Sequence, residues 1–358
     1  MFTTLYNAKE GKLYFEIPDS AFGRTYILAN RVAATSNTRD FVAGQIATQP
    51  LLIRFSKDER NVYIHQIQSS DIVAGTDPIE SAFDKNFYDP VLKGFKIAAQ
   101  NGKNVVIDVT AFFGANEKAI SPIKTDNPLS KLLGGANSLK GTFVPDASGI
   151  VSSKCFPENI EIKSRLSFTL TPLGQPYSVI MHRSLFALPD DPMPMRLQDN
   201  RVGFFYSDKS IYTSEQDRLI RRTFIHRWRL EPKKEDLDKY FQGELVEPQK
   251  PIVFYVDSAF PEKWRTAIHQ GIEDWNTAFE TAGFKNAIKA VDYPKTTRTS
   301  TRTTCVTVAS NTLQQPQPTP WDPAMWTRVR AKSLPVTSFG TTTSFLCSTT
   351  GVSYRQER

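Results

Sequence analysis

The chain has 358 residues, 40% hydrophobic and 23% charged, the balance of a globular protein with enough apolar material for a sizeable core. Its formal charge of +7 is concentrated near one end: residues 296–358 carry seven basic side chains against two acidic ones, so the body is nearly neutral and gives no support to a nucleic-acid partner. No run approaches the roughly 20 apolar residues that span a bilayer, and "MFTTLYNAKEGKLYFEIPD" lacks the basic and apolar regions of a signal peptide.

In chain order, residues 1–245 read mainly as strands. "KLYFEIPD" alternates and stops at Pro18-Asp19, and "RTYILANRVA" is a second run. "PLLIRFSKDERNVYIHQIQ" is two alternating runs around a polar turn, which predicts a hairpin. "KNVVIDVTAFF" is apolar and β-branched. "SRLSFTLTPLGQPYSVIMHRSLFAL" predicts another hairpin, with Pro172, Gly174 and Pro176 at its turn. "NRVGFFYSD" and "TFIHRWRLEP" follow as strands, and "SPIKTDNPLSKLLGGANSLKG" reads as a long surface loop.

The character changes near Glu247. One strand, Ile252 to Val256, precedes a helix in which Trp264, Ile268, Ile272, Trp275 and Phe279 fall on one face. Pro261 suits the helix's first turn, and Gly283 followed by Phe284 is a C-terminal stop with an apolar residue placed to pack back.

The residues that carry chemistry do not assemble into a site. His65, His182, His226 and His269 include no i, i+4 pair and no H-E-x-x-H, the spacing that puts two imidazoles on one helix face around zinc. His65 and His182 read as packed or rim-exposed strand histidines, and Arg227 and Arg229 beside His226 disfavour a cation. Cys155 reads as a half-buried packing residue; Cys305 and Cys347 fall among the last 63 residues. Glu273 and Asp274 project about 100° apart on their helix, a poor arrangement for a catalytic acid pair. "LLGGAN" lacks the context of a phosphate cradle, and no G-x-S-x-G occurs. No catalytic, cofactor-binding or metal residue is therefore assigned.

The segment "PIVFYVDSAFPEKWRTAIHQGIEDWNTAFETAGFKNAIKAVDYPK" resembles one from large bacterial zinc-dependent metalloproteases of the metzincin type. "LYFEIPDSAFGRTYILANRV", "VIDVTAFF", "SLFALPDDPMPMRLQDNRVGFF" and "IHRWRLEP" are similar to the β-rich region that precedes the protease there. The resemblance covers about Leu13 to Lys295. It implies that the helix opens a catalytic domain whose motif, H-E-x-x-H-x-x-G-x-x-H, lies further downstream than this chain reaches. In intact relatives a zinc-activated water would attack a peptide carbonyl of a protein or peptide substrate.

After "DYPK" that family continues with an Asp-rich stretch and "GP.YVDPR.GE", whereas this chain has "KTTRTSTRTTCVTV", seven Thr in fourteen residues. Reading each codon one base earlier turns Thr (ACN) into NAC, which encodes Asp, Asn, His or Tyr. The same shift lets Pro318 to Lys332 read "ANAMGPSYVDPRTGE", with Gly, Val and Asp forced by the tryptophan and methionine codons. Residues 296–358 are therefore expected to be an out-of-frame, disordered tail rather than a Thr/Ser/Pro-rich stalk.

The expected fold class is α+β, mainly β. A β-rich non-catalytic domain (1–245) precedes the isolated first strand and long helix of a truncated metzincin-like catalytic domain (246–295). The expected function is that of a protease fragment, inactive alone, without a cofactor in this chain and with zinc in intact relatives. The alternative is a non-catalytic module that binds protein or glycan. The resemblance implies export of intact relatives to the periplasm or cell surface. This chain reads as starting at an internal Met1 and, made as written, as cytoplasmic.

Overall fold

The computed structural model describes residues 2–37, 41, 43–123, 140–156, 159–171, 174–256, 260 and 262–292, with the backbone alone at 307–309. The chain forms two compact units, Met1–Pro189 with Ser210–Ile220, and Asp190–Lys209 with Arg221–Arg358. The protein is mainly β with few helices, as expected for an α+β chain.

The first unit is built on one large antiparallel sheet. Its strands in chain order are β1 (Thr3–Asn7), β2 (Lys12–Ile17), β3 (Thr25–Thr35), β4 (Ile46–Lys57) and β5 (Asn61–Gln66). A short β6 (Asp71–Val73) and helix α1 (Glu80–Asn86) come next, then β7 (Val91–Asn101), β8 (Asn104–Asp108) and helix α2 (Thr110–Gly114). The series ends with β9 (Gly141–Phe143), β10 (Gly149–Cys155), β11 (Asn159–Leu170) and β12 (Gln175–Ala187). Hydrogen bonding runs in the order β1-β2-β8-β7-β5-β4-β3-β12-β11-β10, with β9 added on β11.

The sheet curls until its end strands meet. The Tyr6 hydroxyl on β1 donates to the Ile150 carbonyl on β10 at 3.0 Å, and the Cys155 thiol donates to the Phe2 carbonyl. Alternating side chains fill the concave face. Phe2, Phe15, Tyr26 and Phe55 pack there with ring centroids 5.3 to 5.6 Å apart, mostly edge to face. Helix α2 adds Phe112 and Phe113 to the same buried cluster.

Both predicted hairpins are present. β4 and β5 join at Asp58, whose Oδ1 accepts the N–H groups of Arg60 and Asn61, and β11 and β12 stay in register from Asn159↔Phe186 to Leu170↔Gln175. "KNVVIDVTAFF" differs from the single strand expected. The Asp108 carboxylate accepts the Thr110 N–H, and the Thr110 hydroxyl accepts the Leu13 N–H, so the chain turns into α2. β1, β7 and β10 escaped the sequence reading. β7 is largely exposed and shows little apolar alternation.

β13 (Tyr206–Tyr212) begins only at Tyr206, and Ser210–Tyr212 pairs in parallel with β6. β14 (Ile220–Ile225) covers only the start of "TFIHRWRLEP". Most of the predicted surface loop, residues 124–139, lies outside the described residues.

The second unit contains helix α3 (Leu237–Phe241), strand β15 (Ile252–Val256), helices α4 (Glu262–Glu273) and α5 (Asn276–Thr281), strand β16 (Ile288–Asp292) and the short β17 (Thr307–Ala309). The expected strand is β15. It is not isolated, because β16 and β17 pair with it in parallel, one on each side. The single long helix is two helices, broken after Glu273. Ile268, Ile272 and Phe279 pack on the strands, while Trp264 and Trp275 are 42% and 58% exposed. Pro261 lies outside the described residues, as does the expected tail apart from the backbone at 307–309.

The helix stop at Gly283 takes the form its sequence suggests. Gly283 has φ +90°. The Phe284 N–H bonds the Phe279 carbonyl and the Gly283 N–H bonds the Glu280 carbonyl, with Phe284 packed on Phe279. A Cβ at Gly283 would lie 2.7 Å from the Tyr240 ring, whereas one at Gly271 in α4 would meet open space. Gly283→Ala should therefore lose about 1–3 kcal/mol, and Gly271→Ala should gain up to about 1 kcal/mol. Denaturant midpoints of the two variants should move in opposite directions.

Candidate functional site

The densest polar grouping lies on β3, β11 and β12, and strand alternation divides it between the two faces of the sheet. Glu161 on β11 stands opposite Ser184 on β12, and His182 stands opposite Arg31 on β3. On this face the Ser184 hydroxyl donates to Glu161 Oε2 at 2.5 Å, and His182 Nε2 lies 2.6 Å from the same oxygen. The Asn159 amide donates to Oε1 at 2.6 Å. Burial alone would push the Glu161 carboxyl up, but His182, Ser184 and Asn159 outweigh it and hold the group below its ordinary value. Arg31 is lowered by burial, partly offset by attraction to Glu161.

This arrangement binds charge without providing a nucleophile. Ser184 and His182 both spend their contacts on Glu161, so the serine oxygen is not bonded to the imidazole that would take its proton. The chemistry available is that of a half-buried carboxylate held by hydrogen bonds.

On the opposite, inward face, Arg183 stands across the ladder from Ile162 and Asn30. Arg183 and Asn30 are each 0% exposed. Arg183 Nη1 donates to the Phe113 carbonyl at 2.5 Å and to the Ser164 hydroxyl at 2.8 Å. Among the described residues its Nε and Nη2, and both polar atoms of the Asn30 amide, have no partner. Burial lowers the guanidinium from its ordinary value to about 9.

The four histidines stay apart. His65 Nδ1 faces the Asp89 carbonyl at 3.1 Å, an acceptor only, so Nδ1 carries the proton and Nε2 accepts from the Ser56 hydroxyl at 2.7 Å. Ser56 and His65 lie on paired strands, and no carboxylate orients the ring. His226 is buried beside Ser207, with Nε2 to hydroxyl 2.7 Å, and burial lowers its pKa. His269 Nε2 lies 3.0 Å from Asp292 Oδ1. Among the described residues no three His, Cys, Asp or Glu side chains could hold a metal ion together, and no helix is long and apolar enough to cross a membrane.

Cys155 differs from the half-buried residue expected. It is exposed as a residue, yet burial of its sulfur at the β1–β10 seam pushes the thiol up from its ordinary value, which disfavours a nucleophilic thiolate. The Glu273 carboxylate accepts the Ala290 N–H and Asp274 accepts from Gln270, so the adjacent acids serve different partners.

Sequence reasoning missed Glu161, Ser184, Arg31, Arg183 and Asn30. A signal existed for the inward pair. Tyr177, Val179, Met181 and Leu185 mark the buried parity of β12, and Arg183 occupies that parity. Asn30 does the same between Leu28 and Val32 on β3.

Because the folded carboxyl of Glu161 is depressed, its contribution is present above the ordinary value of 4.5 and is lost as pH falls through the folded pKa. Glu161→Gln should cost about 1–2 kcal/mol at pH 7. The gap to the parent should narrow below about pH 4. Urea midpoints measured from pH 3 to 7 check this.

Comparison with known proteins gives two family matches. Residues 1–35 match the domain of unknown function DUF5118, and residues 44–233 match the domain of unknown function DUF5117. No curated protein and no solved structure matches the chain. Since the second match spans more than half of the sequence, the chain belongs to the DUF5117 family.

Proposed function

We propose that the second unit opens the catalytic domain of a zinc-dependent protease of the metzincin type, behind a β-rich non-catalytic region, and that the chain as written does not hydrolyse peptides. One observation carries this reading. β15, the α4–α5 pair and β16 form a parallel strand–helix–strand unit. Parallel sheets are normally covered on both faces. Here Ile252, Val256 and Ile288 pack under α4 and α5, while Val253 and Tyr255 are half-buried and Val291 is 41% exposed. A sheet covered in this way supports the first layer of a larger α/β domain, where the resemblance of "KWRTAIHQGIEDWNTAFETAGF" also points.

The described residues do not fit a zinc site. The four histidines lie apart, on β5, on β12, just past β14 and on α4, each with its own partner, so no chemical step is assigned to them. A protein or peptide substrate and an exported location belong to the same proposal for intact relatives. A second reading, a module that binds protein or glycan without catalysis, is favoured by Phe204, Phe205 and Tyr206, which are 42%, 66% and 53% exposed in sequence.

Re-reading the coding DNA one base earlier from about codon 295 tests the protease proposal. The shifted frame should encode an acidic stretch and then H-E-x-x-H. Its product should bind about one zinc per chain with chelator-sensitive proteolysis, and the chain as written should do neither. Stop codons in the shifted frame, or stoichiometric zinc on the chain as written, would overturn it. In that event, loss of an immobilised protein or glycan ligand on Phe205→Ala would support the binding module.

A further inference from the structure

Among the described residues, the interior of the β-rich unit holds a cation without a counterion. Arg183 Nη1 is fixed by the Phe113 carbonyl and the Ser164 hydroxyl. The other edge of the guanidinium, Nε and Nη2, presents two nearly parallel N–H donors, the fork that receives anions in protein sites. Among the described residues both donors lack a partner, as does the Asn30 amide directly across the ladder, and both residues are 0% exposed. These are two independent polar groups on adjacent strands, unsatisfied on the same inward face. Buried amides are normally hydrogen-bonded, and buried charges are normally paired.

We propose that the Nε–Nη2 edge of Arg183 and the Asn30 amide hold a small inorganic monoanion of the halide class inside the β-rich unit. One guanidinium balances one negative charge, so a dianion would leave an excess charge in an apolar interior. Leu28, Ile162 and Leu185 lie on the same inward face and offer no further donors. That favours a spherical ion over an oxyanion whose remaining oxygens would need partners. A water molecule could satisfy the hydrogen bonds but not the charge. Burial as the sole influence on the Arg183 guanidinium agrees with the lack of a protein carboxylate beside it. With both residues fully enclosed, the ion would enter as the sheet closes.

The test refolds the full chain in bromide, or in gluconate at equal ionic strength. Crystals from bromide should show an anomalous peak between Arg183 and Asn30. The thermal midpoint should rise by about 3–6 °C for each tenfold increase in bromide once the site fills. Arg183→Met, if it folds, should lose that dependence; if it does not fold, the anomalous map of the parent decides. Bromide confined to the surface, a light-atom peak without anomalous signal, or a bromide dependence retained in Arg183→Met would overturn the proposal.

Discussion

A long antiparallel sheet leaves two edges of unpaired backbone, and closing those edges on each other is the constraint around which the β-rich unit is organised. β1 and β10 come together through the Tyr6 hydroxyl on the Ile150 carbonyl and the Cys155 thiol on the Phe2 carbonyl. Phe2 lies just before β1, so the seam also carries the aromatic group that packs on Phe15, Tyr26 and Phe55. Edge contact and core filling therefore depend on the same few residues. Strands distant in sequence must be in place before this core is complete, a topology dominated by non-local contacts.

Closure also determines what the inward polar groups experience. On an open sheet Arg183 and Asn30 would reach water, and neither would be costly. Inside the closed sheet, with α2 packed against the concave face, their partners must come from the interior itself. The Phe113 carbonyl at the end of α2 meets part of that demand. The outward polar group follows a different logic. Glu161 gathers His182, Ser184 and Asn159 around one carboxylate, which offsets its desolvation through hydrogen bonds.

The legible parts of the fold were those with local causes. The β4–β5 and β11–β12 hairpins were visible because alternation and turn residues lie within one short window. The stop at Gly283 was visible because a positive φ and a following apolar residue form a local device. β7 and β10 were not visible, because their exposed faces carry no apolar period, even though each forms a hairpin with the next strand, β8 or β11. β16 was hidden for another reason, as a five-residue strand whose partner, β15, lies more than thirty residues earlier. The helix stripe was half right. Ile268, Ile272 and Phe279 reach the strands, but the break after Glu273 turns Trp275 outward. The polar cluster was hidden for a further reason: Glu161, His182 and Arg31 are ordinary residues on their own strands, and only register brings them together.

The two family matches also look different once the sheet is known. Residues 1–35 supply β1, β2 and β3, and residues 44–233 supply the rest of the sheet. β3 lies between β4 and β12, and β2 pairs with β8. The two matched stretches are thus interleaved in one sheet rather than set side by side. Neither can complete its ladders or bury its apolar face without the other, because the core cluster draws Phe2, Phe15 and Tyr26 from the first stretch and Phe55, Phe113 and Leu185 from the second. The break between the matches marks a change in sequence pattern, while the unit that folds is the curled sheet that contains both.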